Sequence, residues 1–468
     1  MSVVTRTATP EADGAPQPPR MRLRPSPTAL MLVAIVVLTG FTLLLGYANK
    51  ARCVGPDFDA EGRSGPDYTI RVDRDVCYSD IQYLWLGRDI NEHVFPFVSG
   101  SISPAGVLEG GTVEYPVLAG LLMWAGALFA RNDGQFLLYS ALLMAPFGLV
   151  TGWMLGRLAR WRALLWAIGP PLVLYAFHNW DLPVVACAVA AVFVVNGGRP
   201  VDGRSSARPL ADRALLASVL LGLGFAFKLY PGAFVLPLAL YVLTMSRPGC
   251  LHWWGAVRVA LAAAATVVLV NLPFAVAGYE GWRASFTFQE LRKVDLTTNS
   301  IWYWGFRPDS EPDNVAFQHW VNWLSPTLVL ASFAVAAAVG WRRWRRTGLY
   351  PWVAVSAAML CGFLLLHKVH SPQYTLWLLP FFVLLAVPWR WIAAYLTVDV
   401  VMGIGIFRWF YARNMTGGAT DISAGLAAQA VTVGVWGRAA LLTVLFVVFL
   451  TLPDPLADRE RRRAMPTG

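Results

Sequence analysis

Apolar residues run along this chain in long blocks parted by short polar turns, and two polar stretches, 49–113 and 279–320, interrupt the rhythm. Blocks fall near 29–45, 114–130, 135–156, 163–177, 181–196, 213–229, 231–245, 256–277, 322–340, 352–366, 374–388, 391–410 and 436–453. Crossing the roughly 30 Å hydrocarbon layer of a bilayer takes about 20 apolar helical residues, so these blocks are candidate spans. Lipid cannot satisfy backbone N–H and C=O groups, and the runs are too continuous for barrel strands. The pattern predicts an all-α, polytopic membrane protein with 12–13 transmembrane helices in a single domain, 28–453.

Composition agrees: 56% of the 468 residues are hydrophobic and only 14% charged. The formal charge of +10 does not point to nucleic acid, because the excess sits in short loops and tails such as Arg342-Arg343-Trp344-Arg345-Arg346 and Arg459-Glu460-Arg461-Arg462-Arg463. That distribution follows the positive-inside rule and marks those loops as cytoplasmic. Residues 1–27, rich in Pro, Ala and Arg, read as a disordered cytoplasmic tail and 454–468 as a basic one. The polar stretch after the first helix carries ten acidic side chains between residues 51 and 113 against five arginines, as an outside loop is free to do. Cys53 and Cys77 both lie in it and are able to pair if it faces an oxidising compartment.

Thirteen full crossings would put the two basic ends on opposite sides. The segment 114–130 is therefore expected to dip in or lie along the interface without crossing. Two polar-loop segments, Tyr78 to Ile90 and Trp282 to Val294, have the spacing of short amphipathic helices on the membrane surface, the second also suiting a lid with basic residues near a lipid head group.

Polar clusters sit at the mouths of apolar blocks. Charge beside a membrane helix is costly, so each is a functional candidate. Asp80, next to Tyr78 and Ser79, suits a general base, although Ser79 or Asp80 opening a helix is also ordinary capping chemistry. Glu114-Tyr115-Pro116 opens a segment, where a glutamate also favours the positive end of a helix. Asn179-Trp180-Asp181, with Pro183 following, reads first as a cap and second as a substrate contact. Lys228 closes a long block ahead of Tyr230 and Pro231, where snorkelling competes with binding a phosphate or sugar. In the hairpin His367 to Tyr374, Lys368 and His370 suit a sugar phosphate and Gln373 a sugar hydroxyl. No His-Glu-x-x-His pattern, P-loop or dinucleotide-binding turn appears, so neither a metal nor a cofactor is indicated, and a lipid-linked donor is favoured over a nucleotide sugar.

Read together, the first-loop aspartate, Glu-Tyr-Pro, Lys-Leu-Tyr-Pro and His-Ser-Pro-Gln-Tyr resemble the GT-C class of membrane glycosyltransferases. They are similar in particular to the polyprenyl-phosphate-mannose-dependent mannosyltransferases of glycosyltransferase family 87, found in actinobacterial envelope synthesis. The resemblance spans residues 28 to about 410, and departs from the family where Tyr-Pro-Val stands in place of a double proline. It implies inverting, metal-independent transfer from a polyprenyl-phosphate sugar to a glycolipid or glycan acceptor at the outer face of the plasma membrane. Asp80 matches the catalytic aspartate, and Lys228, His370 and Gln373 match donor-facing positions. A flippase for lipid-linked sugars and a non-catalytic envelope-assembly protein are the rival readings. The placement of the polar clusters on one face favours the enzyme.

Overall fold

In a computed structural model of the chain, which describes residues 26–196, 209–247, 249–416 and 425–453, helices dominate and only two two-residue β-ladders accompany them. The first half contains α1 (Pro27–Ala51), α2 (Tyr68–Arg74), α3 (Asp80–Gly87), α4 (Val117–Ala127), α5 (Asp133–Ala159), α6 (Leu164–Ala167), α7 (Pro170–Tyr175), α8 (Leu182–Asn196) and α9 (Leu210–Phe227). The second half continues with α10 (Tyr230–Ala233), α11 (Val235–Met245), α12 (Trp253–Ala277), α13 (Tyr279–Leu291), α14 (Ile301–Trp304), α15 (Val315–Thr347), α16 (Trp352–Leu366), α17 (Thr375–Leu384), α18 (Trp389–Met415) and α19 (Leu426–Thr451). Seven of these, α1, α5, α9, α12, α15, α18 and α19, lie in helical stretches long and apolar enough to cross a membrane. The protein is an all-α polytopic membrane protein. Both tail readings fall almost wholly outside the described residues.

The apolar blocks prove to be of two kinds. The long helices expose broad apolar faces, as α12 does with Leu261, Val268, Leu269 and Val276. Lipid is the natural partner of such a face. Shorter ones such as α8 and α16, 15 residues each, are buried nearly all round and form the interior of the bundle. The block 163–177 is not one helix: it breaks between α6 and α7 at Gly169-Pro170, where Pro opens α7.

α4 has 11 residues and so rises only about 16 Å, half a bilayer. Both of its flanks return to the first long loop. Ahead of it, Glu114 pairs with Arg88 (2.6 Å); after it, Asp133 pairs with Arg63 (3.0 Å) and takes the Ser64 hydroxyl and amide. Gly62 seals this junction: its φ is +78°, and a Cβ there would come 2.5 Å from the Arg131 carbonyl oxygen. Only glycine fits. Both flanks of α4 thus lie against the first long loop, and its 11 residues are too few to cross a bilayer.

α3 is a short amphipathic helix, but it does not lie on lipid. Ile81, Leu84 and Trp85 are buried in the main core, with the Trp85 ring 5.7 Å from Phe136 and its indole donating to the Glu61 carbonyl. The expected surface helix is thus a wedge between loop and bundle. α13 bridges loops: Thr112 donates to the Gly281 carbonyl and Gln289 to the Glu114 carbonyl.

Candidate active site

Asp80 is held by three pieces of chain. Cys53 at the end of α1 forms a disulfide with Cys77, and Lys50, buried, donates to the Tyr78 carbonyl (2.7 Å). Ser79 caps α3 through the Ile81 amide and donates to the Phe177 carbonyl, while the Asp80 amide donates to the His178 carbonyl. Because Ser79 does the capping, the Asp80 carboxylate is left for side-chain chemistry. One oxygen accepts from the Tyr78 hydroxyl (2.9 Å) and the other from the Asn179 amide (2.5 Å), which also donates to the Tyr115 hydroxyl (2.7 Å).

Burial pushes the Asp80 carboxyl above the ordinary carboxylate range, opposed by its bonds to Tyr78 and Asn179 and by the Lys228 charge. Burial also raises the Tyr78 and Tyr115 hydroxyls well above their usual range, with the Asp80 charge adding to it, so both stay protonated, Tyr78 donating to Asp80 and Tyr115 accepting from Asn179.

A second group adjoins the first through Tyr115. Lys228 donates to Asp181 (2.6 Å), and the Trp377 indole donates to the same carboxylate oxygen (2.7 Å). The Lys228 ammonium stands over the rings of Tyr115, Tyr374 and Trp377 at 5.6, 5.9 and 5.5 Å. Trp377 stacks between Tyr374 (3.9 Å) and Tyr230 (4.3 Å). Tyr230 thereby reaches the site as a ring. Aromatic faces and one buried carboxylate together hold a buried cation.

Several predicted roles change in this geometry. Asn179 and Asp181 were read first as helix caps; their side chains instead bind Asp80 and Lys228, so the cap reading is corrected. Lys228 is not a free cation, because Asp181 takes its charge. Glu114 is not open to a ligand either, since Arg88 engages both its oxygens at 2.6 and 3.2 Å. Lys368 turns away to the Arg292 carbonyl and Asn322 (2.6 and 2.8 Å), and burial, then the Arg292 charge, brings its ammonium down to about 8. His370 is buried 5.6 Å from Tyr374, with Nδ1 at the Leu364 carbonyl and Nε2 without a partner; burial holds its imidazole neutral. Gln373 is buried with Oε1 unpartnered.

Arg292, just past α13, was singled out in the sequence only as part of a basic lid segment. Its charge acts on Tyr115, Tyr374, His367 and Lys368, yet no carboxylate pairs with it among the described residues. Lys50, Trp377 and His178, whose Nδ1 lies 3.4 Å from the Lys50 ammonium, also escaped the sequence reading. A lysine closing the first helix was the one available signal. Two Asp-x-Asp pairs do stand in the first long loop, at 57–59 and 73–75, where the sequence reading expected none. Asp59 takes the Arg63 amide and Asp75 pairs with Arg74, and no group of three His, Cys, Asp or Glu gathers among the described residues.

The chain is thus a multi-helix membrane protein whose half-buried Asp80 carboxylate is hydrogen-bonded at the start of α3. Residues 113–372, more than half of the chain, match the model of glycosyltransferase family 87, and the chain belongs to that family. It is a membrane glycosyltransferase by this membership. No curated protein sequence matches it. Among solved structures, it is similar to the archaeal oligosaccharyltransferase AglB from Archaeoglobus fulgidus, solved with an inhibitory peptide and a dolichol-phosphate, at 11% identity and a TM-score of 0.39. That alignment covers 93% of this chain and 58% of the archaeal one.

Proposed function

We propose that the protein transfers a sugar, mannose first among the candidates, from a polyprenyl-phosphate donor to a hydroxyl of a glycolipid or glycan acceptor. The observation that carries this reading is the Asp80 carboxylate, tuned upward by burial and oriented by Tyr78 and Asn179 rather than spent on a helix cap. Asp80 accepts the acceptor's proton as its oxygen attacks the anomeric carbon. The new C–O bond forms while the bond to the phosphate oxygen breaks, with inversion, and the electron pair leaves on the polyprenyl phosphate. A phosphate leaves as a stable anion, so one base and fixed cations suffice, and the reaction needs no metal.

Arg292, whose carbonyl Lys368 holds and with which no carboxylate pairs among the described residues, is the cation we assign to the phosphate, with His370 Nε2 and the Gln373 amide as neutral contacts. Lys228 and Asp181 are positioning residues for the aromatic wall; Lys368 holds the segment that carries Arg292. The Asp80 end faces outward, across the plasma membrane from the basic loops. The Cys53–Cys77 disulfide supports an oxidising compartment.

Purified protein given polyprenyl-phosphate mannose, polyprenyl-phosphate glucose or GDP-mannose with a membrane glycolipid extract tests the donor class. Transfer from a lipid-linked sugar, unchanged by EDTA, is expected. Transfer from GDP-mannose alone would overturn the assignment.

A further inference from the structure

A cleft of about 500 Å³ with a mixed polar and apolar lining opens in the first long loop. Its walls are the hairpin around Asp59 and Arg63, the start of α2 at Asp67, Tyr68 and Thr69, and Tyr83 on α3. The proposed reaction gives it no task. We infer that it is a docking site for the outlying sugar residues of a neutral oligosaccharide acceptor, an assignment that rests on reading Asp80 as the base.

The lining has the chemistry of a pyranose, which offers an apolar C–H face and a rim of hydroxyls. Tyr83 is 46% exposed and presents a ring. Asp67 projects a carboxylate that caps no helix, and Thr69 beside it is exposed. Tyr68 is buried with its ring under the Arg63 guanidinium at 4.6 Å, and its hydroxyl has no hydrogen-bond partner. Arg63 is fixed by Asp133 and by the Gln82 and Tyr83 carbonyls, so its charge is spent within the protein. Carboxylates at 59 and 67 then leave the cleft with an acidic rim, unsuited to a phosphate.

Position connects the cleft to the chemistry. The Tyr83 ring lies 5.7 Å from Tyr78, and the Tyr78 hydroxyl donates to Asp80. A chain stacked on Tyr83 is one aromatic pair away from the base. Recognition by neighbouring sugars would select a glycan over a simple lipid alcohol.

The test is equilibrium binding of mannopentaose, maltopentaose, an oligogalacturonate of equal length and pentalysine to the purified full-length protein, alongside transfer kinetics. A neutral pentasaccharide is expected to bind and the oligogalacturonate not to. Asp67→Asn keeps the left-handed backbone (φ 51°) that asparagine tolerates, and is expected to weaken the neutral sugar and raise acceptor KM by about tenfold with kcat and donor KM unchanged. Tyr83→Ala should weaken binding further. Asp80→Asn should bind the pentasaccharide as wild type does while losing transfer. If wild type transfers sugar but neither neutral oligosaccharide binds, or only pentalysine or the anionic sugar does, the cleft assignment is wrong and the reaction stands. If the neutral sugar binds through Asp67 and no transfer occurs with any lipid-linked donor, the reaction is wrong and the cleft remains a glycan site.

Discussion

The two ends of the bundle use charge differently. At the end opposite Asp80, arginines cap backbone: Arg162 donates to the Phe382 and Leu385 carbonyls, Arg213 to Val195, and Arg343 to Leu450 and Leu452 (2.7 Å to the last). Guanidinium groups there satisfy carbonyls freed at helix ends, which is a task of folding and topology. At the Asp80 end, carboxylates, an ammonium, amides and hydroxyls bond side chain to side chain between elements far apart in sequence, as Asn179 does to Asp80 and Lys228 to Asp181. Polar networks of this kind are expensive to bury and orient their members closely. At the Asp80 end some charges also hold backbone, as Lys50 does at Tyr78, but only there, among the described residues, do side chains of distant elements join into a network.

The sharpest way to break this contrast is at the buried ion pair. Lys228→Met leaves Asp181 buried and uncompensated, and is expected to destabilise the protein by about 3–5 kcal/mol, read by thermal unfolding in detergent. Lys228→Met combined with Asp181→Leu should recover most of that loss. An unaltered unfolding temperature in the single variant would remove the pair from the account.

Asn179→Ala comes next. Loss of a bond to the carboxylate is expected to lower the transfer rate by about ten- to a hundredfold with folding retained. The pH profile sharpens the point. Asp80 works as a base only when ionised, so the rate should rise with pH and fall off below a midpoint above the ordinary carboxylate range. The Asn179 bond lowers that pKa, so its removal should move the acid limb to higher pH; an unmoved limb would separate Asn179 from the base. The smallest effect is expected at the other end: Arg162→Ala should cost about 1 kcal/mol of stability and leave kcat within about twofold.

The contrast also marks what could be read from sequence. Apolar blocks located most of the helices, because hydrophobic length is a local signal. Asp80, Tyr78, Tyr115 and the Cys53–Cys77 pair were legible for the same reason: they sit beside recognisable breaks. Partners were not. Asn179 and Asp181 look like caps until Asp80 and Lys228, 99 and 47 residues away in the chain, come into reach. Lys228 and Lys368 look like phosphate cations until Asp181 and the Arg292 carbonyl engage them. Arg292 itself was hidden in an amphipathic segment, where an arginine is unremarkable, and only the fold brings its backbone to Lys368 in the hairpin 367–374.

The most direct test is single-turnover transfer from polyprenyl-phosphate mannose by wild type and Asp80→Asn, each shown folded by its unfolding temperature. The account predicts a loss of about 10²–10⁴-fold with donor binding retained, as removal of a general base requires. Transfer by Asp80→Asn within a few fold of wild type would contradict it.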